Sequence, residues 1–296
     1  MKVSLVDVDG RNFPNLALMR ISAWHKAQGD TVDWYMPMFS RPDRIYASKV
    51  FTFTPDYTFY AATDPEPIRG GTGYQIMQDL PSEIEATAPD YSIYPDVTEA
   101  YGFLTRGCIR KCPWCIVPHK EGSIRIAGDI ETIAAGRKQA ILMDNNFLAA
   151  EPDFILYQLG KIAKTGIRID FNQGLDARLI TARYAKAMSA CKWIRFIRFS
   201  CDSPEMMPHI KKAVRLLKEA GCRRPVFVYM LVYDVVEAEE RLRSLVKLGV
   251  SPFAQPYRDF TRQSKTTKEQ RDFARFANIK GGKLCLKMKF KEYYHR

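Results

Sequence analysis

Apolar and polar positions along the chain fall into two successive series of elements. Residues 2–8 (KVSLVDV) are a short apolar run with β-branched members, which predicts a buried strand. Asp9-Gly10-Arg11-Asn12 supplies a turn. Leu16, Met19, Ile21, Ala23 and Trp24 then lie in a stretch of helical character that ends at Gly29, a C-cap residue. Residues 31–35 predict a second strand and residues 45–53 contain a third. Gly70-Gly71-Thr72-Gly73 reads as a tight turn. This order predicts an open, Rossmann-like α/β sheet. Pro81, Pro89 and Pro95 mark a loop-rich exit, so the first domain is expected to cover 1–98.

A longer alternation follows. Predicted strands at 100–104, 140–143, 168–171, 193–199, 225–232 and 251–255 alternate with predicted helices at 152–164, 180–190, 208–220 and 236–248. Six strand–helix units over 160 residues build a parallel sheet with covering helices. The fold class expected for residues 99–260 is therefore a partial (β/α)6 barrel, whose site lies at the carboxyl ends of the strands. Asp144, Asn145, Asn172, Gln173, Ser200, Asp202, Asp234, Gln255 and Arg258 stand at those ends. Residues 261–296 form a basic C-terminal extension. Thr266-Thr267-Lys268-Glu269 is a capping-box pattern that opens a helix through Ala277. After Gly281-Gly282, the alternation over residues 283–290 predicts a half-buried edge strand with its lysines outward.

Of 296 residues, 46% are apolar and 26% charged, which excludes disorder of the whole chain. No charge-free apolar run approaches about 18 residues, so no membrane span is expected. The N-terminus lacks the apolar core of a signal peptide, and the expected location is the cytoplasm. The net charge of +12 is uneven. Residues 1–98 carry 8 basic and 13 acidic residues; residues 99–260 carry 26 and 17; residues 261–296 carry 11 and 3. A basic second half suits a polyanion, and a nucleic acid or nucleotide is the favoured substrate class.

Three of the seven cysteines, Cys108, Cys112 and Cys115, fall within eight residues and are spaced C-x3-C-x2-C. In a chain without an export signal, such a cluster points to metal or redox chemistry, not to a disulfide framework. Three thiolates on one loop can hold three corners of a cubane iron–sulfur cluster and leave the fourth iron open. With His119 the same residues also read C-x3-C-x2-C-x3-H, a complete zinc ligand set. On that alternative the chain is a zinc-stabilised nucleic-acid-binding protein without catalysis.

The C-x3-C-x2-C loop directly after the first strand of the series, with Trp114 just before the third cysteine, resembles the radical S-adenosylmethionine (SAM) enzymes. The resemblance covers roughly residues 99–260. It implies a [4Fe–4S] cluster on Cys108, Cys112 and Cys115, with Trp114 near the SAM adenine. Reductive cleavage of SAM to a 5′-deoxyadenosyl radical and methionine would follow, with electrons from a flavodoxin- or ferredoxin-type donor. Asp144-Asn145 takes the place of the family's Gly-Gly-Glu, which holds the SAM amino group. Asn172, Gln173, Ser200 and Asp202 are candidates for the ribose and carboxylate. Cys201 is a candidate hydrogen-atom donor. Residues 1–98 resemble the cobalamin-binding-type domain that precedes this barrel in one subgroup. The subgroup's Asp-x-His-x-x-Gly signature is absent around His25, so cobalamin is not expected.

Overall fold

The chain divides into two units, Met1–Thr98 and Glu99–Arg296. The computed structural model describes residues 1–10, 12–259 and 265–294.

In the first unit, β1 (Lys2–Asp7), α1 (Leu16–Ala27), β2 (Thr31–Trp34), β3 (Arg44–Ser48) and β4 (Ile68–Gly70) precede a short α2 (Ser82–Glu85). All four strands are parallel, in the order β2-β1-β3-β4. Asn15 starts α1: its side-chain oxygen accepts from Leu18 N at 3.2 Å, satisfying one of the free N–H groups of the first turn. The same amide donates to Ser48 Oγ at 2.9 Å, which ties the helix start to the end of β3. Leu18, Met19 and Ile21 of α1 pack on Val3 and Leu5 of β1 and Val32 of β2. His25 is fully buried, with Nδ1 2.6 Å from Asp30 and Nε2 3.0 Å from the Tyr46 hydroxyl. The glycine-rich turn after β4 is wrapped around Lys49. A Cβ at Gly73 would lie 2.6 Å from Lys49 Cγ, and the Lys49 ammonium lies 4.3 Å over the Tyr74 ring.

The second unit opens with β5 (Ala100–Gly102), β6 (Thr105–Arg106), α3 (Val117–Lys120), β7 (Arg125–Ile126), α4 (Ile130–Ala134) and β8 (Gln139–Leu142). It continues with α5 (Pro152–Thr165), β9 (Arg168–Phe171), α6 (Ala182–Ala190), β10 (Lys192–Trp193), β11 (Ile197–Ser200) and α7 (Met207–Glu219). Last come β12 (Val226–Val232), α8 (Val235–Lys247), β13 (Ser251–Pro256), α9 (Lys268–Asn278) and α10 (Phe290–Tyr294). The strands form two parallel sheets, β10-β9-β8-β5 and β11-β12-β13. A parallel bridge between Leu175 and Phe199 links them. Among the described residues, no ladder joins β13 to β5.

The strand expected at 193–199 is two strands. Ile194 N still bonds to Ile169 O, whereas Ile197 N bonds to Pro225 O. The segment leaves one neighbour for the next at Arg195-Phe196, and this switch divides the two sheets. On β12, Val226, Val228, Met230 and Val232 are buried while Phe227, Tyr229 and Leu231 alternate on the other face.

The expected edge strand at 283–290 is not formed. Residues Ile279–Leu286 make 3-10 turns, and Phe290 begins α10. Lys280, Gly281 and Gly282 all have positive φ, so the chain turns back on itself and cannot extend. Cys285 and Phe290 go into the core of the second unit with Phe273 and Phe276 of α9. Alternating lysines mark solvated positions on these turns. The capping box is real but one residue later, between Thr267 and Gln270.

Arg241 of α8 is 3% exposed. It pairs with Glu237 (2.8 Å) and donates to the carbonyls of Cys201 and Leu231, near the carboxyl ends of β11 and β12. Removing one partner of a buried network leaves the others without bonds. Arg241→Ala should cost about 3 kcal/mol. Arg241→Met, which keeps most of the volume, should lose nearly as much in urea unfolding; full recovery by methionine would assign the effect to packing.

Candidate functional site

The cysteine segment is the loop of a hairpin. β6 and β7 pair antiparallel, Thr105 with Ile126 and Arg106 with Arg125, and residues 107–124 lie between them. Two further contacts close its base. Arg106 grips Glu121 with two bonds, 2.9 and 2.8 Å, and Cys108 N donates to Gly122 O at 3.1 Å. Gly107, immediately before the first cysteine, has φ +85, and a Cβ there would run into the Ser123 carbonyl. Only glycine suits both conditions. Cys112-Pro113-Trp114-Cys115 is a tight turn closed by Cys115 N to Cys112 O at 3.0 Å, with proline at the second position where its fixed φ fits.

The end of β8 holds this loop in place. Asp144 is 2% exposed and faces the backbone that leads into the loop. Its Oδ1 accepts from Thr105 N (2.6 Å) and Thr105 Oγ1 (2.7 Å), and its Oδ2 from Leu104 N (3.2 Å). Asn145 Oδ1 accepts from Gly107 N at 2.9 Å. Asn146 Nδ2 donates to Cys108 Sγ at 3.3 Å, while its Oδ1 is buried with no partner. Asp144 and Asn145, expected to hold an amino group, thus accept from the backbone that leads into the cysteine hairpin. Asn146 has the acceptor that is left over.

A second element reaches the loop from the turn after β9. Asp176 caps the 3-10 turn Ala177–Leu179 and binds Arg178 (2.7 and 3.0 Å) and Arg110 (3.0 Å). Burial pushes its carboxyl up, but the two guanidinium groups outweigh this and hold it below the usual range. The charge of Cys112 also reaches Arg178, after that of Asp176. The pair noted in Gly174-Leu175-Asp176-Ala177-Arg178 is therefore one half of a bridge to Arg110, inside the cysteine motif.

Burial, followed by the negative charges of Cys112, Cys108 and Asp202, raises the pKa of Cys115. Asp202 itself is raised by burial and accepts from Leu231 N at 3.0 Å. Cys108, Cys112, Cys115, Asp202, Arg178 and Asn146 are brought together. Trp114 is half-buried on the same loop. Other candidates are not in this group of contacts. Gln173 is exposed and bonds Asn172 Oδ1 at 3.3 Å. Ser200 Oγ lies against Gly174, 3.1 Å from where its Cβ would be. Cys201 is fully buried, its thiol pushed up to about 12 by burial and directed at Ser203 O and Met207 Sδ. His119 is exposed on α3.

Among the described residues, no three His, Cys, Asp or Glu side chains are gathered tightly enough to hold a single metal ion. A lone zinc needs all its thiolates about 2.3 Å from one centre. A cubane carries each thiolate on a different iron, so its cysteines stand further apart. The three cysteines share one loop, and the Asn146 amide donates to Cys108 Sγ at 3.3 Å. No helix of the described residues is long and apolar enough to cross a membrane.

Sequence reading missed Asn146, Arg110 as a tie, and the Arg106–Glu121 clasp. Only Arg106 and Glu121, one on either side of the motif, left a signal. Gly107→Ala should keep the fold of the second unit but open the hairpin base. We expect at least a tenfold loss of bound iron after anaerobic reconstitution, with an unchanged far-ultraviolet circular dichroism spectrum.

No model of a known protein family matches the chain. No curated protein matches its sequence. Two solved structures that resemble part of it are Streptococcus suis SuiB and SuiB bound to S-adenosylmethionine. Each is 13% identical with a TM-score of 0.46 and covers 61% of this chain. The chain spans less than half of theirs, 45% and 46% respectively.

Proposed function

We propose that the chain is a radical SAM enzyme whose cluster is held by Cys108, Cys112 and Cys115. The observation that carries this reading is the placement of the C-x3-C-x2-C motif. It sits on a clasped hairpin just after the first of the seven parallel strands of the second unit, at their carboxyl ends, where such folds carry their sites. In this reading the second unit is an open (β/α)6 barrel and the first a Rossmann-like domain without the cobalamin signature.

Bound there, a [4Fe–4S] cluster supplies the low-potential electron that splits the sulfonium of SAM. The residues of the chain do the rest. Asp144, Asn145 and the Arg106–Glu121 clasp fix the loop. Arg178, tied to Asp176, sets a guanidinium beside the cysteine loop. Trp114 offers a flat apolar face for an adenine. Asn146 Oδ1, buried and unpartnered, is the acceptor at this strand end still available to an amino group.

The test is anaerobic purification, iron and sulfide analysis, reduction and addition of SAM. About four irons and four sulfides per chain, with 5′-deoxyadenosine formed, are expected. One tight zinc with no iron and no SAM turnover overturns the proposal. Asn146→Leu should retain the iron and weaken SAM binding at least tenfold by calorimetry; unaltered affinity removes Asn146 from the site.

A further inference from the structure

The two edges of the parallel strands in the second unit differ in charge: at the carboxyl ends Arg106, Arg110 and Arg178 stand among the acids, whereas cations prevail at the amino ends. At the carboxyl ends stand Asp144, Asp176, Asp202, Glu205 and Asp234. The segments that enter the amino ends of β8 to β13, residues 135–138, 166–168, 191–196, 220–225 and 248–250, hold no acidic residue, whereas Glu99 stands before β5. They hold seven cations: Arg137 and Lys138 before β8, Arg168 on β9, Lys192 on β10, Arg195 before β11, and Arg223 and Arg224 before β12. All but Arg137 are exposed. Lys138, Lys192, Arg223 and Arg224 make no ion pair with a described residue. Glu131, which lines the cavity at this edge, pairs with Lys161 (2.6 Å), and Glu219 with Arg215 (3.7 Å).

Sequence spreads these cations over 88 positions; the ladder collects them on one edge. Neighbouring strands lie about 4.8 Å apart, so the edge presents a positive group every ~5 Å. At the β8–β9–β10 end the row folds around a cavity of about 580 Å³ lined by Arg137, Lys138, Arg168 and Lys192. Cations near a helix C-terminus complement its dipole, and Lys164 and Lys218 in the last turns of α5 and α7 serve that purpose. The seven strand-entry cations lie beyond them. No exposed large apolar side chain occurs in these segments, whereas a membrane-bound surface would insert some.

We infer that this amino-end edge is a docking surface for the phosphate backbone of a nucleic acid, on the opposite side of the sheet from the cysteine loop. Charge repeated at this spacing over ~15 Å lies along several phosphates of a duplex, which presents one negative charge per ~1.7 Å of axis. The inference stands whether or not the cysteine loop carries a cluster.

The probe is a fluorescein-labelled 20-base-pair RNA duplex, followed by anisotropy against the full chain from 50 to 300 mM salt. The variant K138E/K192E/R223E/R224E is compared with K283E/K287E/K289E/K291E, which makes the same charge change in the tail. The edge variant should bind at least 30-fold more weakly at 100 mM salt, with a salt slope shallower by about 3, since each lost phosphate contact removes about 0.9. The tail variant should lose less than fivefold. Equal losses in both variants would mean that net charge alone attracts RNA, and would overturn the inference. So would an unaffected edge variant, or phosphatidylserine vesicles bound through this edge in preference to the duplex. Should the edge variant not fold, acetylation of the wild-type chain decides: the duplex is expected to protect Lys138 and Lys192 but not Lys283, and equal labelling with and without it rejects the surface.

Discussion

Cys112→Ala is expected to abolish iron binding and SAM cleavage together. Three thiolates are the minimum that holds a cubane with one open iron, and an alanine leaves two. Reconstituted iron should fall from about four per chain to below about 0.5, and 5′-deoxyadenosine should fall to the level without enzyme. Cys222→Ala is the control: Cys222 is half-buried, packs at the edge of the core and makes no contact with the loop residues. It should retain full iron. A Cys112→Ala protein that keeps its iron would remove this cysteine from the ligand set and with it the proposed activity.

Asp144→Ala should be the most damaging change among residues that do not touch the cluster. The carboxylate serves two backbone N–H groups and a hydroxyl, all buried. Leaving such donors without an acceptor costs about 3 kcal/mol in total. The entry of the cysteine hairpin loses its anchor as well, so iron loading should fall with stability. Burial holds the Asp144 carboxyl up to about 7 against the pull of the Thr105 and Leu104 donors. Between about pH 4 and 7 the folded chain keeps a proton that the unfolded chain has released. Its contribution is complete below pH 4 and is lost as pH rises toward 7. The wild type should lose urea stability over that range, while Asp144→Asn, which cannot titrate, should show a flatter profile. Parallel profiles would place the titration elsewhere.

Much of the local architecture was legible because it is written in short-range terms. The apolar run at β1, the alternating runs at β8 and β12, Gly29 after α1 and the capping pattern near α9 each depend on a few adjacent residues. The cysteine spacing is likewise local: Cys112-Pro113-Trp114-Cys115 is a turn by its own chemistry. The misreadings have a common cause. Residues 283–290 alternate like a strand, but the positive φ angles at 280–282 and the pull of Cys285 and Phe290 into the core wind them into turns. The segment 193–199 looks like one strand, but it must serve two neighbours and breaks between them.

What the sequence determined by itself was which residues could do chemistry: three thiols on one loop, an aromatic beside the third, polar groups at strand ends, and an excess of cations in the second half. What only the tertiary structure decided was which of them meet. Asp144 lies 39 residues from Thr105, and Arg110 lies 66 from Asp176. No local pattern encodes those pairings, because they are set by the parallel register that brings one strand end beside the next. The same register turned Asp144 from a ligand candidate into a buried anchor. It also drew seven scattered cations onto one edge, since a parallel sheet places every strand entry on the same side.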